Sequence, residues 1–284
     1  MKQRFEVFDL HTDVLNKLAG TSVQPGTPSV NAESLSRGGV TRACFACYCG
    51  RDTRTEAQLA AVEKQAAVLE QLRGHMGECR VYGAFEGLDY FYPEIPTELI
   101  KRVKPVYATL TWNHASPICG SCAVDYRLTP FGKRVLRFLE KNGIRADLSH
   151  AGREAFWSVL DNTPLPIVTH SCADAVTQHR RNLTDEQIRA LIRRGSVIGL
   201  NFYSEFCGGT MESLVKHALH ILDMGGEKCL ALGSDFDGID GDLEIAGAQD
   251  MPKLAEGLKK EGIPERVVEK IFYGNAVRFF SENL

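Results

Sequence analysis

Eight short β-like runs alternate with helical segments along the 284 residues of this chain, and that rhythm leaves few architectures open. The runs are RFEVFDLHTD, TRACFACYC, RVYGAFEG, PVYATLTWN, GIRADLSH, LPIVTHS, GSVIGLNFY and CLALGSDFDG. Between them, AQLAAVEKQAAVLEQLRG is rich in the helix formers Ala and Leu and closes at Gly74. TPFGKRVLRFLEKNG offers Thr129 as N-cap, Pro130 at the first helical position and Gly143 as its stop. TDEQIRALIRRG carries a capping box, Thr184 with Gln187, and ends at Gly195. MESLVKHALHILDMGG and GIPERVVEKIFYGNAVRFF show the same helical period. Eight strand–helix units in a chain of this size predict an α/β fold, the (β/α)8 or TIM barrel. An open doubly wound sheet would place a glycine-rich phosphate loop after its first strand, and here that strand ends in HTD. No linker divides the chain, so a single domain over residues 1–284 is expected.

An apolar fraction of 44% is ample for a core, and a charged fraction of 24% is ordinary for a soluble globular protein. A net charge of −3 gives no electrostatic reason to expect nucleic acid or an anionic membrane as partner. No apolar run approaches the roughly 20 residues that span a bilayer. MKQRFEVFDLHTD runs directly into the first strand without a leader's apolar stretch, and AVRFFSENL lacks a lipid-anchor tail. The expectation is a cytoplasmic protein. Nine cysteines include two C-x-x-C spacings. Cys44 and Cys47 lie in a strand, where odd spacing sends them to opposite faces and suits them to the core. Cys119 and Cys122 sit in the loop ASPICGSC, where a metal or redox role competes with a packing one.

In such barrels the chemistry sits at the C-terminal ends of the strands. FDLHTDVL carries Asp9, His11 and Asp13 at alternate positions, which a strand turns to one face. Burying that row costs several kcal/mol per group, on the order of an unpaired charge, unless a cation neutralises it. The other strand ends bring Glu86, Trp112, His150, His170 and Asp235. Three imidazoles with carboxylates and no converging thiolates suit zinc or a similar borderline divalent ion. The ligands outnumber one site's needs, and a carboxylate bridging two ions would use the surplus. His11 and Asp13 share parity and can reach one ion. Asp9 either orients His11 from behind or is satisfied by backbone donors; the sequence leaves both open. Asp237, in DFDG, reads as a turn residue, and the helical pair His217 and His220 as structural, since no Glu base accompanies it.

At this point the chain resembles the membrane dipeptidases, the renal-dipeptidase-like metallopeptidases, over nearly its whole length. DLHTD is similar to that family's D-x-H-x-D, FEG to its E-G, and YATLTWN to its Y-x-T-L-T. LTPFGKRVLRFLEKNGIRADLSH, VTHSCADAVTQHRRNLTDEQI and GSDFDG resemble the segments that follow. The resemblance implies two Zn²⁺ ions: His11 and Asp13 on one, His150 and His170 on the other, Glu86 bridging. It implies Arg181 as the group that binds the free carboxylate of a dipeptide, Asp235 as the proton carrier, and a homodimer. Where better-known members carry a His that helps bind substrate, this chain has Trp112, whose indole donates one hydrogen bond and cannot be protonated. His114 could take that place if its loop bends inward. Two rivals stand beside this expectation. One is another metal-dependent amidohydrolase acting on a small amide or ester; many of these open with H-x-H and bridge their metals with a fourth-strand lysine, which VYATLTWN lacks. The other, motivated by Trp112, is a metal-binding barrel with impaired catalysis.

Overall fold

The computed structural model describes residues 6–22, 26–241 and 244–281. The first residues of the expected opening strand, Arg4 and Phe5, and the last three of the chain lie outside them. Eight parallel strands form the barrel: β1 (Val7–Thr12), β2 (Val40–Tyr48), β4 (Cys79–Glu86), β5 (Tyr107–Thr109), β6 (Arg145–Asp147), β7 (Val168–Ser171), β8 (Ile198–Leu200) and β9 (Leu230–Leu232). The short β3 (His75–Met76) pairs antiparallel with β4 outside this ring. Hydrogen-bonded neighbours run β6-β5-β4-β2-β1-β9-β8-β7, and one parallel bridge, Asp147 to Ile167, closes the ring between β6 and β7. This is the (β/α)8 barrel that the alternating pattern predicts.

Local signals account for the outer helices. Thr129 caps the helix Pro130–Lys141 by accepting from the Gly132 N–H, and Thr184 and Gln187 form a reciprocal capping box on Asp185–Arg194. Gly195 ends the latter in a left-handed conformation. Thr55–Leu72 turns at Arg73, one residue before the expected glycine. The final helical stretch is not uniform: Glu265–Glu269 passes through a π-helical turn, Lys270–Gly274, into Asn275–Phe280. That last helix plugs the barrel floor, where Phe8 packs against Tyr82 and Phe280 at ring-centroid distances of 5.6 and 6.1 Å. Cys44 belongs to this floor cluster and Cys47 to the larger core outside it, the opposite-face arrangement their spacing requires.

Most strands are shorter than their apolar runs. PVYATLTWN contributes only Tyr107–Thr109 to the ladder, and Trp112 and Asn113 have left it for the mouth. Strand β1 breaks strict alternation through a register shift between Asp9 and Thr12. Asp9, His11 and Asp13 therefore do not make one row. No helix among the described residues is long and apolar enough to cross a membrane.

Candidate metal centre

Six of the predicted residues converge at the C-terminal mouth of the barrel. His11 lies one residue before the end of β1, Asp13 just beyond it, Glu86 ends β4, His150 follows β6, His170 lies in β7, and Asp235 follows β9. All are buried, His11 and His170 completely. His11 Nε2 stands 3.6 Å from Asp13 Oδ2, 3.8 Å from Glu86 Oε2 and 3.8 Å from Asp235 Oδ1. Glu86 turns its other oxygen the opposite way: Oε1 is 2.9 Å from His150 Nε2 and 3.7 Å from His170 Nε2. One carboxylate thus faces two separate ligand sets, His11 with Asp13 and His150 with His170.

The hydrogen bonds behind the imidazoles decide what these atoms can accept. The Tyr107 hydroxyl donates to the Leu10 carbonyl at 2.9 Å, so its oxygen accepts from the Nδ1–H of His11 at 2.8 Å. The Thr169 hydroxyl donates to Asp147 at 2.7 Å and accepts from His170 Nδ1–H at 2.8 Å. His150 Nδ1–H donates to Asn113 Oδ1 at 2.8 Å. With each Nδ1 acting as donor, a neutral imidazole presents its Nε2 lone pair to the centre. The His150 and His170 lone pairs then meet at 3.0 Å, an unfavourable contact unless a cation or proton lies between them. His11 Nε2 and Asp13 Oδ1 are buried with no hydrogen-bond partner. Adjacent ligands around a tetrahedral ion lie about 3.3 Å apart when each bond is near 2.05 Å. The 2.9, 3.0 and 3.7 Å edges of the Glu86–His150–His170 triangle bracket that value. Donor type, orphaned lone pairs and spacing all fit a divalent metal.

Without an ion, a proton on His11 takes over the compensating role. Burial alone would push the His11 imidazole down, but the carboxylates of Asp13, Glu86 and Asp235 outweigh it and hold it at about 10. Burial, His11 and Arg181 push His150 and His170 well below the usual range. Burial and the neighbouring Asp13 raise Glu86, and burial raises Asp235 to about 7. The backbone is strained here as well. Of the non-glycine residues with positive φ, Arg73 and Lys104 end helices, while His150 (69°), Asp235 (66°) and Asp237 (69°) surround the mouth. Gly238 allows the close approach: a Cβ there would fall 2.0 Å from Asp13 Oδ2.

The remaining predicted residues divide. Arg181 is buried, lines the cavity of about 280 Å³ above the centre and leaves its Nε unpartnered; its guanidinium lies 5.2 Å from the Phe206 ring centroid. Trp112 lines the same cavity, its ring centroid 6.2 Å from that of His150. His114 does not bend inward: its Nε2 pairs with Asp89. Of the two readings of Asp9, backbone donors satisfy it: it accepts from the Ser234 amide and hydroxyl at 2.9 and 2.5 Å and from the His11 amide at 3.3 Å, while Tyr107 orients the His11 ring. Asp237 does more than turn the chain. It accepts from Lys17 Nζ, the Ser29 amide and hydroxyl and the Val30 amide, all within 3.0 Å, tying the segment after Asp13 to the mouth. His217 accepts from the Ala173 amide and His220 pairs with Asp185, both away from the centre. Cys119 is a buried free thiol; Cys122, also free, borders the cavity 3.5 Å from Asn113 Oδ1. Sequence reading missed Tyr107, Asn113, Thr169 and Asn201, which donates to Asp235 Oδ2 at 2.9 Å. Asn113 and Asn201 follow strand ends, and extending the strand-end criterion from charged groups to amides would have found them.

Comparison with known proteins agrees with this geometry. An uncharacterized protein from the pqqA 5′ region of Klebsiella pneumoniae is 34% identical over 160 residues, 53% of this chain and 59% of that protein. An uncharacterized dipeptidase of Schizosaccharomyces pombe is 32% identical over 146 residues, 47% of this chain and 35% of that protein. The chain thus matches between about a third and three fifths of these relatives' own lengths. A Rhodobacter sphaeroides metallo peptidase, solved with a phosphinate mimic of the dipeptide L-Ala-D-Ala, shares the fold with a TM-score of 0.89 at 22% identity, covering 99% of this chain and all of that one. The profile of one family, the membrane dipeptidases, matches residues 99–283, the stretch that supplies His150, His170, Arg181 and Asp235, and the chain belongs to that family, peptidase family M19.

Proposed function

We propose that the protein is a binuclear zinc dipeptidase that hydrolyses dipeptides carrying a free C-terminal carboxylate. The observation that carries this reading is Glu86, whose two oxygens face the His11–Asp13 and His150–His170 sets separately. In this reading His11 and Asp13 would hold one ion and His150 and His170 the other, with Glu86 shared between the two sets. Two zinc ions held there would supply Lewis acidity and lower the pKa of water toward neutrality.

The chain's own groups do the rest. Arg181 receives the substrate carboxylate on its buried guanidinium, a geometry suited to bidentate pairing. That contact sets a fixed distance from anchor to metals and admits short substrates. Asn201 holds Asp235 Oδ2, leaving Oδ1 directed at His11 and the centre. Asp235, its Oδ1 directed at the centre, takes a proton from the attacking water and passes it to the departing amine. Trp112 and Arg181 both line the cavity over the centre.

Metal analysis of zinc-reconstituted protein, alongside rates on dipeptides and on their C-terminal amides, tests the reading. Two ions per chain and at least about tenfold faster cleavage of the free acids are expected. A stoichiometry of one removes the bridging role, and equal rates on acids and amides remove the role of Arg181.

A further inference from the structure

The loops after β2 and β7 stand directly opposite each other across the mouth, four strands apart in either direction round the ring. Arg181 belongs to the β7 loop. A dipeptide whose carboxylate is anchored there, with its peptide bond over the metal centre, must send its first residue toward the β2 side.

That side carries a built wall. Tyr48, at the end of β2, has its main chain gripped twice by the buried amide of Gln65, N–H to Oε1 and C=O to Nε2, each at 2.9 Å. Its ring meets Trp112 edge-on at 5.1 Å, and its hydroxyl is buried without a partner. Arg51, from the loop just beyond, lies over the Trp112 ring at 6.0 Å from its centroid and makes no ion pair among the described residues. All three line the cavity. Acidic groups at the rim cluster elsewhere: Glu205 follows β8, Asp240 follows β9, and Asp237 is already paired with Lys17. With Arg180 and Arg181 after β7 on the side of the carboxylate anchor, Arg51 is the basic group on the β2 side, and Glu205 and Asp240 lie between the two after β8 and β9.

We propose that Arg51, backed by Trp112 and Tyr48, reads the side chain of the substrate's first residue and selects an acidic one, Asp or Glu. The two aromatic faces accept the methylene stem, and the guanidinium pairs with the carboxylate at its end. This assignment rests on the dipeptidase reading above. Because Arg51 is exposed, the expected discrimination is modest and sensitive to salt.

Steady-state rates of the zinc-loaded protein on Glu-Ala, Gln-Ala and Lys-Ala provide the test, since Glu and Gln differ in charge but scarcely in shape. Wild type is expected to favour Glu-Ala over Gln-Ala by about tenfold in kcat/KM, mostly through KM, with the ratio shrinking as salt rises. Arg51→Gln should bring the ratio to within about twofold of one, Arg51→Lys should retain part of it, and Arg51→Glu should turn the preference toward Lys-Ala. Melting temperatures of the variants verify folding. A wild-type ratio near one, or one that survives Arg51→Gln, overturns the assignment while the dipeptidase reading stands. A wild-type protein that cleaves none of the three overturns both.

Discussion

The floor and the mouth of this barrel are made by the two ends of the same strands, yet they obey opposite rules. At the floor, Phe8, Tyr82 and Phe280 pack as a hydrocarbon cluster around Leu10, Ala84 and Ile167. At the mouth, three imidazoles and three carboxylates are buried within a few ångströms of one another, and three residues adopt left-handed backbone. Apolar burial of the first kind stabilises by about 25 cal/mol per Å². Crowded, unpaired polar groups of the second kind cost free energy unless an ion compensates them. The contrast teaches that stability here is concentrated at one end of the strands and chemistry at the other, so substitutions at the two ends should have separable effects.

The largest expected effect is at the mouth. Glu86→Gln should lower metal content and cut dipeptide turnover by more than the 10–100-fold typical of losing an outer partner of a metal ligand, roughly, while the metal-free protein melts no lower than wild type. Metal analysis and calorimetry check this; retention of full metal content would break the contrast. At the floor, Phe280→Ala should cost about 3–5 kcal/mol in urea unfolding, with turnover per folded molecule unchanged. Tyr107→Phe joins the two regions, because Tyr107 is packed in the floor cluster but its hydroxyl holds His11. It should lower metal affinity by roughly 10–100-fold with little change in melting temperature, and competition with a chelator measures it.

The smallest effect is a pH dependence confined to the metal-free state. Asp235, raised to about 7, and His11, raised to about 10, both bind protons more tightly folded than unfolded. Their contributions are complete below the unfolded values, near 3.9 and 6.5, and are lost as pH rises through about 7 and about 10. The gap in melting temperature between zinc-loaded and metal-free protein should therefore widen from pH 6 to pH 9. A constant gap would mean that the mouth carries no such strain.

Features encoded by neighbouring residues were legible in the sequence. Thr129 with Pro130 and Thr184 with Gln187 cap their helices as their spacing requires, and the alternation of strands and helices predicts the barrel. The positions of His11, Glu86, His150, His170 and Asp235 were also legible, because a closed barrel gathers strand ends whatever the strand order. Cross-strand relations were not. Nothing near His11 in the chain points to Tyr107, 96 residues away, and alternation alone misplaced Asp9 because the register of β1 shifts. The short helix Ala32–Gly38 escaped for another reason: seven residues are too few for an apolar period to stand out, although Asn31 caps it.

The closure of the ring between β6 and β7 has one more consequence. A single bridge joins them there, helped by main-chain bonds at Ile167 and by the Asp147 carboxylate, which accepts from the Thr169 amide and hydroxyl. His150 and His170 stand on the two banks of that gap. An ion gripped by both works as a clasp on a hoop, so filling the centre and keeping the hoop shut draw on one and the same contact.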